Sequence, residues 1–211
     1  MLTAVDALAR LCQGNRRFVA DQTSSSGLSA ARRFALVAGQ EPFAIILGCS
    51  DSRVPAELVF DQSFGDLFVI RVAGNIVAPS QVGSIEFAAS RFGTRLVVVM
   101  GHSQCGAIVA TLEELQGRAS SQSKNLASIV NRVRPSVEPL LAAGGVQDPE
   151  TLVREAVRAN VRASVDQLRH GSGLLEKLIQ DNRLVVVGAE YSLETGVVEF
   201  FESVEVAAAG C

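Results

Sequence analysis

Unbroken apolar runs, each closed by turn-forming residues, set the rhythm of this chain. PFAIILGC at 42–49, DLFVIRVAG at 66–74, TRLVVVMGH at 94–102 and RLVVVGAEY at 183–191 are short, β-favouring and lack in/out alternation. That is the pattern of strands buried on both faces of a parallel sheet. After the last of them, the turn Glu194-Thr195-Gly196 leads into VVEFFES at 197–203, which reads as a fifth, antiparallel edge strand.

Between the runs the apolar spacing changes to that of helices. Leu2, Val5, Leu8, Leu11 and Cys12, then Phe18 and Val19, mark a helix over 2–20. The Ser-rich stretch 22–27 reads as a loop, and Ser29 can cap a short helix running to about residue 38. Helical patterns recur at 82–92, 105–117, 124–142 and 150–169, with Pro135, Pro139 and Gly144-Gly145 as breaks in the middle of that region. Arg154, Arg158 and Arg162 form a stripe opposite Val153, Val157, Val161 and Val165, the ordinary signature of a solvated face. Alternating strands and helices predict an α/β fold: a mostly parallel sheet of order 2-1-3-4, helices on both faces. The expected organisation is one domain, with an N-terminal helical arm over 1–38 and an α/β core over 43–211.

Composition narrows the class. With 211 residues, 48% of them hydrophobic, the chain can bury one sizeable core. A formal net charge of -3 argues against nucleic acid or an anionic membrane as partner. Asp6 and Arg10 interrupt any secretory apolar core, and runs such as 44–47 and 96–100 are far too short to span a bilayer. The expectation is a soluble, cytoplasmic protein. Four cysteines and two histidines, without an export signal, favour reduced thiols over a disulfide framework. Cys12 and Cys211 read as small buried hydrophobes or surface residues, and His170 as a solvated residue at a helix end.

The chemistry concentrates at two strand ends. Cys49-Ser-Asp51-Ser-Arg53 and Gly101-His102-Ser-Gln-Cys105-Gly106 each begin where a buried run stops. Ligands of open α/β sheets bind beyond the carboxyl ends of strands, where neighbouring connections leave on opposite faces. If the first and third strands are neighbours, Cys49 and His102 meet there, and Cys105 can turn back to the same point. Two thiolates and one imidazole suit zinc, and three protein ligands with a fourth position open suit catalysis rather than structure. Two thiolates neutralise the dication, so the metal should acidify its water less than a three-histidine site would. Arg53 can pair with Asp51 through two parallel hydrogen bonds, leaving Asp51 to accept a hydrogen bond from the attacking hydroxide. Freed from Arg53, the same carboxylate could take the fourth metal position and shut the site. A dyad of this kind met alone would be an ordinary strand-end salt bridge.

At these residues the sequence resembles the β-class carbonic anhydrases. The matching text is GNRRF, CSDSRVPAELVF, GDLFVIRVAGNIV, GSIEFA, GHSQCGA and GAEYSLETGVV, spanning about residues 14–200. The resemblance implies zinc held by Cys49, His102 and Cys105, with Asp51 and Arg53 as the dyad, in reversible hydration of carbon dioxide to bicarbonate. It implies a homodimer or dimer of dimers whose N-terminal helices embrace the partner. Gln40, Phe68, Phe87 and Gly106 match substrate-binding positions, Gln40 acting on the neighbouring subunit's bicarbonate; core packing is the plainer reading of the two phenylalanines. Some family members rest closed, with Asp on zinc and an inhibitory bicarbonate site built around a tryptophan. This chain has no tryptophan, which argues against that site. Activity is expected to rise from neutral towards about pH 9 as Asp51 re-pairs with Arg53 and water ionises. Other readings of the same residues are hydrolysis of carbonyl sulfide or carbon disulfide, and a zinc or redox sensor without turnover. A nucleotide-binding sheet lacks its G-x-G-x-x-G or G-x-x-x-x-G-K-[ST] loop.

Overall fold

A computed structural model of the chain describes residues 2–24, 26–119, 123–144 and 148–201. Helix α1 (Ala4–Val19) opens on Thr3, whose hydroxyl accepts the Asp6 N–H at 3.1 Å. Helix α2 (Ala30–Ala35) is capped in the same way by Ser29, and none of its residues is buried. There follow β1 (Ala44–Gly48), α3 (Ala56–Val59), β2 (Leu67–Arg71), a 3-10 turn (Ala73–Asn75), α4 (Pro79–Arg91) and β3 (Leu96–His102). Then come α5 (Gly106–Leu115), α6 (Lys124–Ala142), α7 (Pro149–His170), α8 (Gly173–Gln180), β4 (Val185–Tyr191) and β5 (Val198–Phe201).

The five strands form one sheet in the order β2-β1-β3-β4-β5. All pairings are parallel except β4 with β5, which is antiparallel, as the sequence pattern predicts. Successive side chains of a strand point to opposite faces. Ile46, Val98, Met100 and Val187 accordingly join one core cluster with Leu8, Leu11 and Phe60, while Ile45, Leu47, Val97 and Val99 join another with Val161, Leu168 and Leu175. Burial on both faces is the reason the strands read as continuous apolar runs.

Three differences from the sequence reading have physical causes. Helix α6 runs through Pro135 and Pro139 instead of breaking. Both prolines are exposed while Val130, Val133 and Val137 are buried, so the carbonyls robbed of N–H partners face water. The arginine stripe is not merely solvated. Arg158 donates to Glu190 at 2.7 Å and to Glu199, and with Arg162 lies 5.3 and 5.5 Å from the centre of the Phe201 ring, bracing β4 and β5. Cys12, which α1 turns into the core, is disulfide-bonded, against the expectation of reduced thiols throughout; Cys49 and Cys105 are free. Cys211 and positions 202–203 of the predicted fifth strand lie outside the described residues. His170 is exposed at the end of α7, 3.6 Å from Asp166. Among the described residues no helix is long and apolar enough to cross a membrane.

Helix α1 approaches the end of α3 closely at Gly14, where an added Cβ would lie 1.8 Å from the Phe60 carbonyl oxygen. Alanine favours helix by about 1 kcal/mol over glycine, but here it must displace backbone. Gly14→Ala is expected to lower stability by about 1–3 kcal/mol in denaturant unfolding; equal or greater stability would refute this packing.

Candidate metal centre

The sheet topology brings the two sequence segments together. Strand β1 connects onward towards β2 on one side and β3 towards β4 on the other, so the chain diverges beyond their adjacent ends. Cys49 is the first residue past β1 and His102 the last of β3. Gln104, at φ 55°, reverses the chain so that Cys105 caps α5 and faces back. All three are buried, His102 at 0% exposure, and their ligating atoms lie within 4.8 Å of one another.

The spacing tests what these atoms can hold. The two sulfurs are 4.0 Å apart, about twice a disulfide bond. Two thiolates at about 2.3 Å from a tetrahedral zinc stand roughly 3.8 Å apart. The His102 Nδ1–H donates to the Ser103 carbonyl at 2.9 Å, which leaves the Nε2 lone pair facing the sulfurs. That Nε2 is buried with no hydrogen-bond partner. A buried orphan acceptor beside two thiols fits a dication bound at this point.

Charge already gathers there. The Cys49 thiol is pulled down to about 4, first by the Cys105 hydrogen bond, against burial and aided by His102 and by the Gly74 N–H, 3.4 Å from its sulfur. The Cys105 thiol is pushed upward because Cys49 engages its proton and burial disfavours a second charge. Two negative charges this close in a buried site repel, and a dication bound between the sulfurs would let both ionise.

Beside them Asp51 is gripped by Arg53. Arg53 Nε and Nη2 donate to the two carboxylate oxygens at 2.9 and 2.8 Å, and the Arg53 backbone N–H adds a third bond at 3.0 Å. These bonds, the side-chain ones first, hold the carboxyl well below the usual carboxylate range. Asp51 Oδ2 lies 3.9 Å from His102 Nε2, near the metal position but turned to the guanidinium. The sequence leaves the resting position of Asp51 open; in the structure it is the arginine-paired one.

The structure adds residues the sequence reading passes over. Arg71, the last residue of β2, donates to the carbonyls of Cys49 and Asp51 at 2.9 and 2.5 Å. Glu194, exposed in the β4–β5 turn, accepts from Ser103 at 2.8 Å and Gln104 at 2.7 Å, bracing the loop between two candidate ligands. A charged residue ending an apolar strand was the one visible signal for Arg71; Glu194 had none beyond its turn. Gly106 opens α5 with nothing within 4 Å of an added Cβ, so packing does not explain the glycine. Gln40 is not brought to the site of its own chain: it precedes β1, and five strand residues, roughly 17 Å, separate that end from Cys49. Phe68, Phe87 and Phe92 pack together, with ring centres 5.6 to 6.3 Å apart, at the β2 edge. Phe68 pairs in register with Ile45, and Phe87 is 54% exposed.

Fold and site together define an α/β protein whose sheet crevice can hold a metal ion on two cysteines and a histidine. The family model for carbonic anhydrase matches residues 44–198. Carbonic anhydrase 2 of Mycobacterium tuberculosis is 38% identical over 192 residues, covering 91% of this chain and 90% of that protein. The carbonic anhydrase of Mycolicibacterium smegmatis is 38% identical over 195 residues, covering 92% of each. A solved β-carbonic anhydrase of Coccomyxa, in complex with acetazolamide, matches with a TM-score of 0.70 at 25% identity, over 96% of this chain and 91% of that one. A tetrameric β-carbonic anhydrase of Sordaria macrospora shares the fold, with a TM-score of 0.72 at 23% identity over 90% and 94%. The chain belongs to the β-class carbonic anhydrases, a family of enzymes.

Because Arg53 is the main cause of the depressed Asp51 carboxyl, Arg53→Ala should return its titration upward to about 4. A carboxyl signal followed by NMR against pH in the metal-free protein reads this directly. The sign is fixed: a depressed acid adds stability above its ordinary pKa and loses it as pH falls through the folded value. An Asp51 titration unmoved by Arg53→Ala would remove the pairing.

Proposed function

We propose that the chain is a zinc-dependent enzyme that hydrates carbon dioxide reversibly to bicarbonate and a proton, with Cys49, His102 and Cys105 as the metal ligands. The observation that carries this reading is the buried, unpartnered His102 Nε2 among two free thiols, with an ionised carboxylate 3.9 Å away. Zinc bound there supplies an acidified water and positive charge for the oxyanion that develops on the substrate.

The chain's own groups do the rest. Asp51 offers only acceptor oxygens while ionised, so it admits an attacking oxygen that still carries a hydrogen and turns its lone pair towards the substrate carbon. Arg53 keeps Asp51 ionised and oriented, and Arg71 fixes the backbone from which both ligand and carboxylate project. Gly106 leaves space for substrate beside the first turn of α5, whose N–H groups favour a negative oxygen.

Gln40 is proposed to reach the substrate pocket from a second copy, in a homodimer or a dimer of dimers, with Phe68 and Phe87 as aromatic positions of that pocket. Two facts favour a partner: Gln40 is remote from its own Cys49, and the arm leaves Phe34 and Val37 exposed at 81% and 80%.

Cys49→Ser and His102→Ala should lose zinc and turnover together. Asp51→Asn should keep zinc, measured by elemental analysis, and lower kcat/KM by about 100-fold or more in stopped-flow hydration. Wild-type rates for Asp51→Asn would end its assigned role. With zinc loaded, ionisation of the attacking water should make activity rise between about pH 6 and 9. A flat profile over that range, with zinc fully loaded, would contradict the mechanism.

A further inference from the structure

Asn160 is an amide, 3% exposed, on the α7 face that otherwise carries Val157, Val161 and Val165. A buried amide needs a partner, and this one finds it in the turn beside the metal centre. Its Nδ2 donates to the Gly74 carbonyl at 2.8 Å. One helical turn on, Ser164 Oγ, in a residue 5% exposed, donates to the Asn75 carbonyl at 3.3 Å. Both carbonyls belong to the 3-10 turn, where Gly74 has φ 70° and Asn75 φ 43°. Two successive left-handed residues persist only when their surroundings hold them. Helix α5 closes the other side, since a Cβ on Gly74 would lie 3.0 Å from that of Ala107. The Gly74 N–H of this turn lies 3.4 Å from Cys49 Sγ, one of the candidate ligands.

We propose that Asn160, supported by Ser164, is a positioning residue of the metal centre: by anchoring the carbonyls of residues 74 and 75 it aims the Gly74 N–H at the Cys49 sulfur. That hydrogen bond draws electron density from the thiolate, so the sulfur donates less to a bound metal. In a site whose two thiolates already neutralise a dication, each such withdrawal leaves the metal more able to acidify water. The inference rests on the proposed zinc site and adds to it a residue on a helix that supplies no ligand.

Cobalt(II) in place of zinc gives a thiolate-to-metal charge-transfer band that reports electron density on sulfur. Asn160→Leu should move this band to lower energy as the sulfur recovers electron density and, because the freed turn no longer holds the Cys49 side chain in its metal-binding position, speed zinc loss to a chelator about 10-fold or more, with far-ultraviolet circular dichroism unchanged. Ser164→Ala should move both in the same direction by less. Thr94→Val is the control. It removes another buried side-chain bond to a carbonyl, to Pro42 at 2.7 Å, at the opposite end of the sheet. It should lower Tm while leaving band and zinc loss alone. A folded Asn160→Leu with wild-type band and zinc retention overturns the proposal, as does a Thr94→Val that shifts both equally. If Asn160→Leu does not fold, Ser164→Ala decides by the same readouts, and no change in either overturns it. A wild-type protein without any thiolate-to-cobalt band would overturn the metal reading and this inference with it, before any variant is made.

Discussion

Two sulfur atoms 4.0 Å apart in a nearly dry pocket are the constraint that the rest of the molecule serves. Left alone, two thiols in such a place ionise once at most, because a second negative charge would have neither water nor counter-charge. Each surrounding contact offers part of a remedy: a backbone N–H to one sulfur, an imidazole edge stripped of other partners, a helix start behind the other sulfur. A bound cation at their centre would complete the set. The parallel sheet matters because it delivers these groups without long loops. One candidate ligand ends β3 and another follows β1 directly, so their separation inherits the fixed spacing of adjacent strands.

The carboxylate beside the sulfurs depends on a second set of restraints. Asp51 follows Cys49 by two residues, so anything that rotates the backbone there moves both side chains together. Arg71 prevents that rotation by holding both carbonyls, while Arg53 holds the carboxylate itself. Two arginines thus divide the work, one on the main chain and one on the side chain. A bidentate pair has a defined geometry that a lysine ammonium would not impose.

The sheet order and the convergence of Cys49 with His102 were legible because unbroken apolar runs ending in Gly-Cys and Gly-His admit few other folds. Cys105 and the Asp51–Arg53 pair were legible from close spacing along the chain. Arg71, Glu194 and Asn160 were not, because each acts on a group 20 to 91 residues away in sequence, and no local pattern encodes such a contact. The prolines of α6 misled for a related reason: whether a lost hydrogen bond breaks a helix depends on which side faces water, which the local sequence does not state. Arg158 shows the converse. Its regular spacing suggested a solvated stripe, yet Glu190 and Phe201 on the neighbouring strands claim it.

Asn15 joins the two ends of this architecture. From α1 its amide reaches the Val59 carbonyl at 3.1 Å and the Gly196 carbonyl at 2.8 Å, and its oxygen receives the Val198 N–H at 2.9 Å. A single side chain therefore ties the first helix to the hairpin that adds the last strand. The arm and the closing edge of the sheet form one cooperative unit. Peeling the helix away would loosen Val198, then its register partner Tyr191, and through Tyr191 the neighbouring His102. Val198, at the opposite edge of the sheet, is thus two strand pairings from one of the candidate ligands.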